Sequence, residues 1–353
     1  MSREISYGAA IREATDQLMS ESDRVYVIGL GSTDPKSIFG TTTGLQAKYG
    51  PKRVLDMPTS ENAMTGICIG TALMGMRPIM VHQRIDFLLL ALDQIVNNAA
   101  KWYSMFNGQQ SVPLVIRAIV GRGWGQGPQH SQNLQALFAH VPGLKVVTPA
   151  VPADAKGMLI AAAHDNDPVL FIEHRWLHNT FGPVPEEMYE TPLGTANVVR
   201  EGRDVSIVAT SFMVIEAVRA AQALARDGIE AEVVDVRSIR PLDVDGIIAS
   251  VRKTGRLVAC DAAWKTLGFA GEIVALAAEL ALEDLRARPI RVTLPDWHTA
   301  ASPVAAEMYY PTAATIANEV AALFGKPQRS AQEWNLVRNA PADQPDLSFI
   351  GPF

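Results

Sequence analysis

Two residues of this chain stand where chemistry could be done. The first is Glu61, in Met57-Pro58-Thr59-Ser60-Glu61-Asn62-Ala63-Met64-Thr65-Gly66, with no further charge until Arg77. A carboxylate among apolar side chains is costly to bury and gains from a partner that prefers it in a dry place. The plainer account is a helix N-terminal carboxylate stabilised by the helix dipole, with Thr59 or Ser60 as cap. The second is His130, in Gly121-Arg122-Gly123-Trp124-Gly125-Gln126-Gly127-Pro128-Gln129-His130-Ser131-Gln132. The four glycines allow close backbone approach. The run follows an apolar stretch and precedes a helix expected near Gln132–His140. In a parallel sheet that is the carboxyl end of a strand, where ligands bind. A histidine at or near a helix start is held neutral by the dipole. It is either a loop histidine bonded to backbone or an acid/base or substrate-carboxylate contact. The run has no Gly-Lys-Ser/Thr, so it is not a Walker loop. Gly29-Leu30-Gly31 has Asp34 where a dinucleotide fingerprint needs its third glycine, and reads as a plain turn.

The elements that must place these residues alternate. Strands are expected at 25–30, 53–56, 78–82, 112–120, 145–147 and 169–173, and helices at 8–20, 61–74, 88–106 and 153–164. Apolar strands alternating with helices argue for a parallel sheet covered on both faces. Gly182-Pro183-Val184-Pro185-Glu186-Glu187 reads as a Pro-rich, acidic linker, after which the alternation restarts. Strands at 205–209, 231–236, 256–260 and 290–294 and helices at 213–226, 243–253 and 270–283 make a second α/β domain. The expected architecture is α/β, two doubly wound domains, with a parallel N-terminal sheet and a mixed C-terminal one. The boundaries are 1–182, a linker over 183–194, 195–325, and a polar tail over 326–353. The tail is expected to be disordered, with an arm laid on a neighbouring subunit as the alternative.

Composition narrows the function classes. At 353 residues and 48% apolar content the chain can build two cores, and its net charge of −6 gives no footprint for nucleic acid. No apolar run is long enough to span a membrane, and the start, Met1 to Tyr7, does not resemble a signal peptide. Cys68 and Cys260 each sit in an apolar run and read as two buried thiols in a reducing cytoplasm, a disulfide being the alternative. No Cys/His spacing suggests zinc. The 19% of charged residues is low for a monomer's surface and points to coverage by other subunits.

An ordered set of motifs now stands out: Ser60-Glu61, then Gly66, Gly70, Gly75 and Arg77-Pro78; Ala91-Leu92-Asp93-Gln94-Ile95-Val96-Asn97; Gln129-His130-Ser131-Gln132; Pro142-Gly143-Leu144-Lys145-Val146-Val147-Thr148-Pro149; and Asp235-Val236-Arg237-Ser238-Ile239-Arg240-Pro241-Leu242-Asp243. The set resembles the beta subunits of thiamine-diphosphate-dependent 2-oxoacid dehydrogenases of the pyruvate, branched-chain and acetoin types. It is similar also to the pyrimidine-binding and C-terminal domains of transketolase. The resemblance covers about residues 4–325. It implies that Glu61 hydrogen-bonds N1′ of the cofactor's aminopyrimidine, that Phe87 packs on that ring and Gln83 lines its pocket. His130 falls near the reacting carbons, in proton transfer and in passing on the acyl group. It further implies that Mg2+ and the diphosphate are held by a Gly-Asp-Gly motif on an alpha subunit, since this sequence has none. The chain would then be half of an active site in an α2β2 heterotetramer, an acetyl-transferring 2-oxoacid dehydrogenase with a lipoyl domain as acceptor. Some relatives bind K+ through backbone groups near Leu114, Ala162, Asp165 and Asp167. An ordinary helix-end turn explains Asp165-Asn166-Asp167-Pro168 equally well.

The sequence departs from the family in its polar residues. Thr59 replaces the usual aliphatic residue, the loop after Gly29 lacks an acid, and Arg84, Arg122, Trp124, His174, Arg175 and His178 add cationic and polar groups. These predict a substrate or acceptor bearing hydroxyl or anionic groups. The alternative function is a split transketolase-like or carboligating transferase that moves a two-carbon unit to an aldehyde or sugar-like acceptor. A third class, a non-catalytic scaffold, is disfavoured because both Glu61 and His130 are in place.

Overall fold

A computed structural model describes residues 3–34, 38–121 and 125–346. The chain divides into two compact units. The first holds Met1–Gly121 and Leu137–Leu193, the second Arg122–Ala136 and Gly194–Pro352.

In chain order the elements are β1 (Arg3–Ser6), α1 (Tyr7–Glu21), β2 (Val25–Gly29), α2 (Leu45–Tyr49), β3 (Val54–Leu55), α3 (Glu61–Leu73), β4 (Arg77–His82), α4 (Ile85–Leu88), α5 (Trp102–Met105), β5 (Val115–Val120), α6 (Gln135–Ala139), β6 (Lys145–Val147), α7 (Pro152–His164), β7 (Val169–His174) and β8 (Phe181–Val184). In the first unit β6, β7, β5, β4, β2 and β3 lie side by side in that order, and every neighbouring pair is parallel. Strands β2, β5 and β7 are buried along their whole length, which is why they read as near-continuous apolar runs. Helix α1 starts where the Ser6 hydroxyl accepts the Ala9 N–H at 3.2 Å. Helix α7 starts on Pro152, whose missing N–H costs nothing there.

Two expectations change. The single helix over 88–106 is broken into α4, a 3-10 turn at Leu89–Ala91, a π-helical stretch at Gln94–Ala99, and α5. Asn97 and Asn98 donate to Asp93 Oδ1 at 2.8 Å and Gln94 Oε1 at 3.2 Å, and such local side-chain bonds compete with a regular helical ladder. The Pro-rich stretch is held rather than loose. β8 pairs antiparallel with β1, and the Lys156 ammonium donates to the carbonyls of Pro185, Glu186 and Glu187 at 2.7, 3.0 and 2.8 Å.

The second unit contains β9 (Asn197–Arg200), β10 (Val205–Ala209), α8 (Phe212–Ala225), β11 (Ala231–Asp235), β12 (Ser238–Arg240), α9 (Val244–Thr254), β13 (Leu257–Trp264), α10 (Phe269–Leu280), β14 (Ile290–Leu294), α11 (Pro303–Tyr309) and α12 (Ala313–Ala322). Its sheet runs β14-β13-β10-β11-β9, parallel except for β9 against β11. This is the mixed sheet the sequence predicts.

The expected terminal disorder is corrected as far as residue 346. Trp334 and Ala342 are buried, and Ala342 joins Leu294, Ala306, Tyr309 and Tyr310 in one apolar cluster. Two small anchors are enough to order a polar segment whose other side chains face water. The closing aromatics Phe349 and Phe353 lie outside the described residues. Cys68 and Cys260 are buried free thiols. No helix among the described residues is long and apolar enough to cross a membrane.

Candidate active site

In a parallel sheet every loop that follows a strand leaves by the same edge. In the first unit that edge receives Leu30 and Gly31 after β2, Asp56 and then Glu61 after β3, Gln83 and Arg84 after β4, Gly121 after β5 and Arg175 after β7. The loops are tied together. Asp56 Oδ1 accepts the N–H groups of Gly31 at 2.9 Å and Met57 at 2.8 Å, and Ser32 Oγ donates to the Leu55 carbonyl at 2.6 Å. Gln83 Nε2 donates to the Leu30 carbonyl at 2.8 Å.

Glu61 opens α3 at 7% exposure. Of the plainer account the position holds, since Glu61 is the first residue of α3, but the cap does not: Ser60 makes no side-chain cap hydrogen bond. Thr65 Oγ1 donates to the backbone carbonyl of Glu61 at 2.8 Å, and the carboxylate itself takes no hydrogen bond among the described residues. A carboxylate of low exposure with no hydrogen bond among the described residues, at the edge of a sheet where ligands bind, can serve a group from outside the chain. Phe87, on α4, is 40% exposed. Glu61, Gln83 and Phe87 thus all belong to the first unit and to its carboxyl edge.

Beneath this edge lies a network that the sequence reading missed. Arg117, inside the run read as purely apolar, is fully buried on β5. It forms a two-pronged pair with fully buried Glu173 on β7, Nε to Oε1 at 2.5 Å and Nη2 to Oε2 at 3.0 Å. Thr41 Oγ1 accepts from Arg117 Nη2 at 2.8 Å, and His178 Nε2 lies 3.0 Å from Glu173 Oε2. Burial alone would raise the Glu173 pKa, but Arg117 and His178 bring it down to about 2. The signal was a lone arginine in one apolar strand and a lone glutamate in another. His82, the last residue of β4, is buried with Nε2 unpartnered among the described residues, and burial lowers its pKa to about 4, which keeps it neutral.

The expected cationic residues divide. Arg84 and Arg175 converge on the Phe39 ring, their guanidinium carbons 5.8 and 5.3 Å from its centre. Burial, and then the Arg84 charge, lowers the Arg175 pKa to about 9. His178 is spent on Glu173, and the His174 ring lies against Gly121. A Cβ at Gly121 would stand 2.8 Å from that ring, and φ is +107°, so only glycine fits. Arg122 and Trp124 lie outside the described residues.

His130 corrects one expectation. It ends a 3-10 turn, Pro128–His130, and α6 begins only at Gln135. It is therefore not at a helix N-terminus, and the dipole argument lapses. Its segment belongs to the second unit, apart from the unit of Glu61, Gln83 and Phe87.

Of the groups that the resemblance gives to potassium, Leu114, Ala162, Asp165 and Asp167, several are paired with donors of the chain itself. The Asp165 and Ala163 carbonyls accept from Arg77 Nη1 at 2.9 and 2.8 Å, the Leu114 carbonyl accepts the Val169 N–H at 2.9 Å, and Lys145 lies 2.5 and 3.1 Å from the Asp165 and Asp167 carboxylates. The Asp167 N–H donates to Asp165 Oδ1 at 2.9 Å, the bond of an Asx turn. The turn closes on the chain's own cations. No group of three or more His, Cys, Asp or Glu side chains among the described residues could hold a metal.

Two α/β units with these sheets are the architecture of the transketolase class. The transketolase pyrimidine-binding domain family matches residues 3–179, and the transketolase C-terminal domain family residues 194–316. A solved split-gene transketolase, an inactive beta4 tetramer, superposes with a TM-score of 0.73 over 92% of this chain and all of that one; at 24% identity it shows the fold alone. The beta subunit of acetoin:2,6-dichlorophenolindophenol oxidoreductase from Cupriavidus necator is 46% identical over 90% of this chain and 96% of its own length. The Bacillus subtilis protein of the same description is 40% identical, covering 93% and 99%. The 2-oxoisovalerate dehydrogenase beta subunit of Bacillus subtilis is 41% identical, covering 83% and 90%. This chain belongs to the beta-subunit family of thiamine-diphosphate-dependent 2-oxoacid dehydrogenases, enzyme components that act with an alpha subunit.

Proposed function

We propose that this chain supplies the pyrimidine-side half of the active site of an acetyl-transferring 2-oxoacid dehydrogenase, decarboxylating a 2-oxoacid and passing the acyl group to a lipoyl acceptor. The observation that carries this reading is Glu61, a buried residue whose carboxylate has no hydrogen-bond partner among the described residues, at the carboxyl edge of a parallel sheet. Bound thiamine diphosphate supplies a nucleophilic carbon and an electron sink for loss of CO2. Glu61 shares a proton with N1′ of the aminopyrimidine, and its dry setting makes that sharing favourable. Phe87 packs on the pyrimidine, and Gln83, fixed by its bond to Leu30, lines the pocket. His130 moves protons near the reacting carbons and helps hand on the acyl group.

The diphosphate and Mg2+ fall to an alpha subunit in an α2β2 assembly. Uncovered apolar side chains support a partner chain on this unit. On α3, the helix that Glu61 opens, Ile67 is 52% exposed, and Met74, just past its end, is 85% exposed. Arg84 and Arg175 beside Phe39 support a substrate or acceptor with anionic or hydroxyl groups. The transferase alternative has only a likeness of fold on its side.

The test is Glu61→Gln in the assembled enzyme, assayed with pyruvate, branched-chain 2-oxoacids and acetoin. Turnover should fall at least about 100-fold, while size-exclusion chromatography shows the assembly intact. Unchanged turnover would refute the reading. Mass spectrometry of the purified assembly should find an alpha chain and thiamine diphosphate.

A further inference from the structure

The segment that carries His130 is fastened near both ends within the second unit. At its far end, Gln135 Nε2 donates to Asp261 Oδ1 at 2.6 Å, and Thr210 Oγ1 donates to the same oxygen at 3.2 Å. Asp261 is fully buried at the carboxyl side of β13, so this bond is shielded from water. Ser131 and Asn133, between His130 and Gln135, are buried as well.

The near end is held by the tail. The Gly125 N–H donates to Asp343 Oδ2 at 3.3 Å. Gly125 has φ +68°, and a Cβ there would stand 3.1 Å from the Ala301 carbonyl, so this backbone is pressed against the protein. Asp343 is itself buried, and its place is set by what precedes it. The Ala342 N–H donates to Glu307 Oε1 on α11 at 2.9 Å, and Ala342 fills the cluster of Leu294, Ala306, Tyr309 and Tyr310. Further back, Trp334 Nε1 donates to Asn318 Oδ1 on α12 at 2.8 Å. All of these tail residues lie beyond 194–316, the stretch that matches the transketolase C-terminal domain.

We propose that Asp343 is a positioning residue: through the Gly125 N–H it fixes the segment that presents His130, which makes the C-terminal tail part of the active-site scaffold. The proposal rests on the role given to His130 above. Each end is thus held by a hydrogen bond to a buried carboxylate; the Gly125 bond, part-buried and 3.3 Å long, has the worth of an ordinary hydrogen bond. One such bond at each end of an eleven-residue stretch, Gly125 to Gln135, removes much of its freedom.

The experiment compares Asp343→Ala and Asp343→Asn in the full chain assembled with its alpha subunit. In Asp343→Ala, amide hydrogen exchange over residues 125–131 should speed up about tenfold, the worth of one hydrogen bond, with exchange in α8 and β10 unchanged. Turnover should fall by a similar factor while the KM for thiamine diphosphate holds. Asn keeps an oxygen that accepts the Gly125 N–H and should restore both readouts. Unchanged exchange in Asp343→Ala overturns the proposal whatever the activity. Faster exchange with full turnover overturns the positioning role and leaves the reading of Glu61 standing, since that rests on its own substitution. If Asp343→Ala fails to fold, Asp343→Asn carries the test, and slowed turnover in a folded Asn variant with unaltered exchange overturns the proposal.

Discussion

The two edges of the N-terminal sheet are built on opposite plans. At the amino edge, before β4, β6 and β7, charges and turn carbonyls are matched by the chain itself. Arg77 serves the Ala163 and Asp165 carbonyls, Lys145 lies between Asp165 and Asp167, and His164 sits between Glu190 and Glu21 at 2.6 and 2.8 Å. The cavity there, about 780 Å3 and lined by Tyr103, Gln109, Gly143 and Asn166, opens beside groups already satisfied. At the carboxyl edge, His82 Nε2 is buried without a partner, and the Glu61 carboxylate, in a residue 7% exposed, takes no hydrogen bond among the described residues. A cavity at the amino edge does not by itself mark a site; the accounting of hydrogen bonds points to the other edge. An edge that leaves a carboxylate unserved has kept it for a molecule outside the chain.

The contrast can be broken from either side. The largest effect on folding should come from Arg117→Met, which leaves the buried Glu173 carboxylate with His178 alone and should cost about 4 kcal/mol in denaturant unfolding. A loss below about 1 kcal/mol would mean that the pair under the carboxyl edge is not what fixes β5 to β7. Next comes a pH effect. Between pH 6.5 and about 4 the unfolded chain binds a proton at His82 that the folded chain refuses, so stability should fall as pH falls through that window. The full effect is on the order of 3 kcal/mol, and His82→Leu should flatten the slope there. A slope unchanged in His82→Leu would remove His82 from the account.

The amino edge should respond with smaller losses and no loss of turnover. Arg77→Ala leaves two turn carbonyls short of a donor and should cost about 2 kcal/mol, with kcat in the assembled enzyme unaltered. Lys145→Met breaks a half-exposed pair and should cost about 0.5 kcal/mol, less at high salt. A marked fall in kcat from either substitution would erase the distinction between the edges.

Much of this was legible in the residues themselves. Runs such as Val205–Ala209 and Ile290–Leu294 are strands with the predicted bounds, because buried parallel strands need little beyond apolar, β-branched side chains. The uncharged stretch after Glu61 gave away the buried carboxylate. What stayed hidden depended on partners far along the chain. Arg117 looks misplaced until Glu173, 56 residues on, is beside it. The break in the 88–106 helix needed the side-chain bonds of Asn97 and Asn98. The helix expected near Gln132–His140 begins only at Gln135, and Ser131 and Asn133, which precede it, are buried.

The chain passes from the first unit to the second between residues 121 and 122, returns between 136 and 137, and leaves for good between 193 and 194. The interval between the two α/β units is therefore a poor place for a gene to be cut. A fragment ending at 193 would carry Gln135 without Asp261 and Gly125 without Asp343, and the complementary fragment would leave the buried Asp261 with Thr210 but no Gln135 and the buried Asp343 without Gly125. Recombination that swaps one unit for that of a relative inherits this debt unless it also exchanges residues 125–136. The two halves should accordingly be transmitted as a pair, and chimaeras joined at the linker should recover once that short segment travels with the C-terminal unit.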